Sequence, residues 1–147
     1  MARPEQIETR DRFLVFDTLT TRWKDNDNWG HVNNAVYNSW IDTAITSHLW
    51  SILPDFGASQ IIPVAAETRV IFHAPVCHPA SIVTGLRVEH LGNSSMRCSV
   101  GIFEGTQTTA SAWGHMVHVW IDRLTNQSVR IPDSIRDGLT QVMLPVK

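Results

Sequence analysis

One long apolar helix restricts what this chain can become. Val36, Tyr37, Trp40, Ile41, Ala44, Ile45, Leu49 and Ile52 recur at spacings of three and four. That spacing places them on one broad stripe of a helix running from Ala35 to Ile52. Asn38, Asp42, Thr46 and Ser47 fall off the stripe or on its edge, and Pro54 stops the helix. A helix in a folded protein draws most of its stability from packing one face. A stripe this wide needs a sheet to cover it.

The rest of the chain supplies that sheet. Phe13 to Trp23 is apolar and threonine-rich and reads as a first strand. After a loop over 54–60, residues 61–74 alternate. Val64, Ala66, Thr68, Val70 and Phe72 take one face, and Glu67, Arg69 and His73 the other. Residues 81–91 alternate again. Gly92-Asn93-Ser94 turns the chain into a strand over 95–104, and Glu104-Gly105-Thr106 turns it into a last strand over 108–123. Ile131-Pro132-Asp133 opens a short helix expected to end near Met143. Short turns between successive strands favour antiparallel pairing. One helix against one antiparallel sheet is an α+β arrangement. Residues 1–10 are polar and read as frayed or extended.

The 147 residues suit a single domain over 1–147, with enough chain for a core. Hydrophobic content of 43% and charged content of 18% describe a globular chain. A net charge of −2 without a basic cluster argues against a nucleic-acid partner. Cys77 and Cys98 read as reduced thiols with no zinc-type spacing. Met1 to Gln6 lacks the apolar core of a signal peptide. No apolar run approaches the ~20 residues that span a bilayer. The expectation is a cytoplasmic protein with no membrane partner. No G-x-G-x-x-G or P-loop is present, so no metal and no cofactor is expected.

Between the first strand and the helix lies Trp23-Lys24-Asp25-Asn26-Asp27-Asn28-Trp29-Gly30-His31-Val32-Asn33-Asn34. Asp, Asn and Gly are ordinary turn and capping residues. Their density here exceeds what a connection needs. The first turn of a helix has N–H groups without intrahelical partners and carries partial positive charge. Such an end can hold an anion or the oxygen of a polarised carbonyl. A carboxylate just upstream could attack that carbonyl or activate a water to do so. Asp27 precedes Asn34 by seven residues, so a folded-back loop brings the two together.

The run D-x-D-x-x-G-H-V-N-N-x-x-Y before a long apolar helix resembles the acyl-CoA thioesterases of the 4-hydroxybenzoyl-CoA thioesterase type. The element order over residues 10–143 is similar as well. The resemblance implies a hotdog fold, one long central helix wrapped by a curved five-stranded antiparallel sheet. It implies hydrolysis of a thioester to a carboxylic acid and free coenzyme A, which is part of the substrate. Asp27 matches the family's catalytic carboxylate, Gly30 its glycine, and the backbone N–H of Asn34 its carbonyl-polarising donor. It further implies a homodimer or homotetramer with the site at a subunit boundary. Two other readings stand beside it: a hydratase or dehydratase on the same fold, and a non-catalytic acyl-CoA binding module.

Trp29 is a candidate pocket wall, His31 a substrate contact, a proton donor to the leaving thiolate or a satisfied loop histidine, and Asn33 a cap or substrate contact. Asp25 reads as structural. Tyr37 and Trp40 read as core, with the lining of an acyl pocket as the other reading. Trp113 and Trp120 fall on opposite strand faces, as do His115 and His118. The histidines outside the run, His48, His73, His78, His90, His115 and His118, read as structural or surface residues. Arg69, Arg87 and Arg97 could meet coenzyme A phosphates, although scattered strand arginines are usually just solvated.

Overall fold

The computed structural model describes residues 6–53 and 55–144. The sequence readings for residues 1–5 and for Pro54 lie outside them. Strand β1 (Val15–Thr20) leads to helix α1 (Asn34–Ile52). Four strands follow: β2 (Ile61–Phe72), β3 (Ser81–Leu91), β4 (Ser95–Glu104) and β5 (Ala112–Asp122). Helix α2 (Asp133–Thr140) closes the described chain. The strands form one antiparallel sheet in the order β1-β3-β4-β5-β2. It curls around α1, as the resemblance implied. No helix among the described residues is long and apolar enough to cross a membrane.

The stripe on α1 forms as the spacing predicts. Tyr37, Trp40, Ile41, Ala44, Ile45 and Leu49 are buried. They meet Ile82, Leu86 and Val88 of β3, Met96, Cys98, Val100 and Ile102 of β4, and Trp120 of β5. Removing this apolar surface from water drives the packing, at roughly 25 cal/mol per Å². Trp120 is fully buried against α1, while Trp113 lies on the opposite face of β5 and is half-buried. Both cysteines are free. Burial pushes the Cys98 thiol up to about 12, which keeps it unreactive at neutral pH.

The outer face of the sheet corrects three sequence readings. First, β1 is shorter than expected. Phe13 leaves the strand line and enters a second cluster with Phe103 and Ala110. It fits there because Gly85 and Gly101 lie opposite each other on β3 and β4. A Cβ on Gly101 would stand 2.8 Å from the Phe13 ring. Second, of frayed or extended, the frayed alternative falls: Thr9 is extended and residues 8–10 are anchored. Ala110 donates to the Glu8 carbonyl and Arg10 to that of Thr108, each at 2.9 Å. Third, Arg87 is no phosphate ligand. It is buried, paired at 3.0 Å with both Glu8 and Glu89, and lies over the Phe13 ring.

Strand β2 breaks its expected alternation. The pairing with β5 slips between Ala65 and Glu67. A bulge adds a residue and flips every later side chain to the other face. Thr68 therefore opposes the buried Met116, whereas Val64 opposes Val119 and is exposed. The last strand begins at Ala112, later than the expected 108, because 108–110 pair with the N-terminal segment instead. Helix α2 stops at Thr140, short of Met143.

Candidate active site

The polar run between β1 and α1 folds back on itself. Its first part is a 3-10 turn, Trp23–Asp25. Asp25 is buried there and accepts the Arg22 backbone N–H at 2.7 Å and the Arg22 guanidinium at 2.9 Å. Burial alone would raise its carboxyl. The Arg22 hydrogen bonds outweigh that and hold it below its ordinary value. Asp25 is thus a structural anchor, as its position suggested. Its carbonyl also accepts the Asn33 N–H at 2.8 Å, which fixes the start of α1.

Asp27 sits at the mouth of a tight reversal. Its N–H donates to the His31 carbonyl at 2.8 Å, and its carbonyl accepts the Gly30 N–H at 3.1 Å. Gly30 adopts φ +82°, a conformation that side chains resist. The Trp29 N–H donates to Asp27 Oδ1 at 2.8 Å. Oδ2 carries no hydrogen bond among the described residues.

The helix start leaves one donor spare. Asn33 is the cap, and its Oδ1 accepts the Ala35 N–H at 2.9 Å. Its carbonyl accepts the Val36 N–H at 2.9 Å. The N–H of Asn34 has no partner among the described residues. No acidic side chain lies in the first turn of α1 to neutralise the partial positive charge there.

Asp27, Trp29, His31 and Asn34 line one cavity of about 440 Å³. Tyr37 and Phe72 line it too, their rings edge-to-face with centroids 5.0 Å apart. Burial pushes the Tyr37 phenol up, so it stays neutral. Gly30 and Asn33 do not line the cavity; they shape the loop and cap the helix. Trp29 is 83% exposed and stands as an outer wall. Trp40 is core.

The wall missed by the sequence reading is 72–75, the end of β2 and the turn beyond it. His73 in particular lines the cavity, although it read as structural or surface. The two segments are stitched together: Val32 donates to the Val76 carbonyl at 2.7 Å, and Asn26 Oδ1 accepts the His78 N–H at 3.0 Å. Nothing in the spacing of either segment announces that contact. Among the described residues no group of His, Cys, Asp and Glu is arranged to hold a metal ion.

The arrangement offers a half-buried carboxylate, an unsatisfied amide hydrogen at a helix start and an aromatic floor within one concavity. Known proteins carry the same architecture. The PA5185 protein of Pseudomonas aeruginosa is 35% identical, with a TM-score of 0.91, over 97% of this chain and 100% of that one. A thioesterase from Thermus thermophilus, solved with coenzyme A and Zn, is 28% identical, with a TM-score of 0.79, over 92% of this chain and 99% of that one. A DHNA-CoA thioesterase from Staphylococcus aureus shares the fold at 16% identity, with a TM-score of 0.77, over 86% of this chain and 89% of that one. No curated protein matches. The family profile covers residues 21–139, the span that holds the site loop, α1 and the whole of β2 to β5, and by that match the chain belongs to the thioesterase-like superfamily.

Proposed function

We propose that this protein is an acyl-CoA thioesterase that hydrolyses a thioester to a carboxylic acid and free coenzyme A. The observation that carries the reading is the shared cavity of the Asp27 carboxylate and the unpartnered Asn34 N–H. Thioester hydrolysis needs attack at the carbonyl carbon and support for the oxyanion that follows. Asp27 Oδ2 is free to attack that carbon or to take a proton from an attacking water. The Asn34 N–H supports the oxyanion, aided by the dipole of α1. Tyr37, Phe72 and Trp29 bound the acyl side, and His31 contacts the substrate at the rim.

A second copy of the chain completes the site. Two features support this. The cavity is open, with Phe72 49% exposed at its edge. It also lies at the end of β2, an edge strand of twelve residues whose outer side pairs with nothing among the described residues. A long unpaired edge is a template for pairing with another chain.

The test is a panel of acyl-CoAs with a thiol reagent. Thiol release that depends on the protein supports the reading, and its absence across the panel removes it. Single-turnover labelling in heavy-oxygen water separates the two roles of Asp27. Label enters the carboxyl of Asp27 if it is the nucleophile, and only the product acid if it is the base.

A further inference from the structure

The proposed reaction uses a carboxylate and an amide hydrogen, and it leaves the departing sulfur without a proton donor. Two imidazoles line the cavity, those of His31 and His73. His31 belongs to the exposed loop. His73 stands just beyond the end of β2, and its backbone is pinned there. Its N–H and that of Ala74 both donate to the Ser111 carbonyl at 2.9 Å. The neighbouring Phe72 packs edge-on against Tyr37. His73 is therefore held in place by the sheet.

Its ring has an unusual status. Nε2 is closed to water and has no hydrogen-bond partner among the described residues. Among the described residues with such an atom, His73 is the one that lines this cavity. Nδ1, on the other side of Cε1, is not closed to water and has no hydrogen-bond partner among the described residues, so it is the ring nitrogen a ligand can reach.

We propose that His73 is a further catalytic residue, the proton donor to the leaving sulfur. The inference rests on the thioesterase reading and assigns it one more group. As water adds to the carbonyl carbon, Asp27 takes the proton and the oxyanion forms against the Asn34 N–H. On collapse the C–S bond breaks and its electron pair stays on sulfur. A proton passes from the His73 ring to that sulfur. The proton held by Asp27 then returns to the imidazole through solvent. Thioester and water become acid and thiol, with nothing left over.

The experiment compares leaving groups. His73→Ala and His73→Gln are assayed on an acyl-CoA and on the S-phenyl thioester of the same acid. An aryl thiolate is a far weaker base than an alkyl one and departs without a proton. Positioned acids contribute typically 10²–10⁴-fold, so His73→Ala should lose about 10²-fold on the acyl-CoA and less than about threefold on the phenyl ester. His73→Gln keeps an N–H but cannot give its proton up, and should recover only part of the loss. The ratio of the two rates in one sample does not depend on the folded fraction, so a poorly folding variant still reports. Equal losses on both substrates, or none on either, overturn the role of His73 while leaving the thioesterase reading intact. A wild-type protein inert toward both substrates removes that reading and this inference with it.

Discussion

Asn34→Pro should delete the proposed oxyanion donor without deleting the helix. A backbone N–H is ordinarily beyond side-chain mutagenesis. Proline at the first helical position is the exception, because its fixed φ suits a helix start and the N–H it lacks has no intrahelical partner there. The local geometry already accommodates it. Asn33 sits at φ −59°, ψ 136°, the extended conformation that a residue before proline requires. The Asn34 side chain is exposed and makes no hydrogen bond among the described residues, so little else is lost. The capping bond from Ala35 to Asn33 Oδ1 remains. Removing one donor of this class typically costs about 10²–10³ in kcat, or about 2.7–4 kcal/mol of transition-state stabilisation. Substrate binding, made largely by other groups, should change little. The Tm should stay within about 3 °C, corresponding to about 1 kcal/mol in a domain of this size. Asn34→Ala is the control: it keeps the N–H and should stay within about threefold of wild type, since exposed substitutions have small effects. The assay is thiol release at saturating acyl-CoA, with calorimetry for Tm. A proline variant that melts with the wild type and turns over at the wild-type rate would refute the reasoning.

Other consequences test the scaffold. Asp25→Ala loses the anchor of the site loop and should cost about 0.5–2 kcal/mol, as lost N-terminal caps do. The folded-state carboxyl of Asp25 lies below its ordinary value of 3.8, so its contribution is complete above that pH. It drains as pH falls through the lower folded value, and the gap between wild type and variant in urea titrations should narrow with it. Gly101→Ala places a methyl against the Phe13 and Phe103 rings and should cost about 1–3 kcal/mol. In a Phe13→Ala background part of that cost should vanish, a non-additivity that a double-mutant cycle measures directly.

The helix was legible because its stripe has one period and one use. Val36, Tyr37, Ile41 and Leu49 could face only a sheet, and they do. The strands were legible for the same reason, up to the point where a single extra residue intervened. At Ala66 the alternation is unchanged in sequence but reversed in space, because nothing in a run of Val64, Ala66 and Thr68 marks a bulge. Phe13 was misplaced because its destination is a gap made by two glycines more than seventy residues away. The loop half of the site could be read from its density of Asp, Asn and Gly and from its place before a helix. The sheet half could not: His73 reaches the cavity through contacts of Val32 with Val76 and of Asn26 with His78, which no local pattern encodes.

The carboxylate of Asp27 is the centre of the account, and Asp27→Asn probes it with the least disturbance. The amide keeps an oxygen to accept the Trp29 N–H, so the turn should survive. Steady-state thiol release from the best acyl-CoA of the panel is the measurement. The account predicts a fall of at least about 10² in kcat with the melting temperature preserved, in keeping with the loss of a catalytic base or nucleophile. A variant that turns over at the wild-type rate would contradict it.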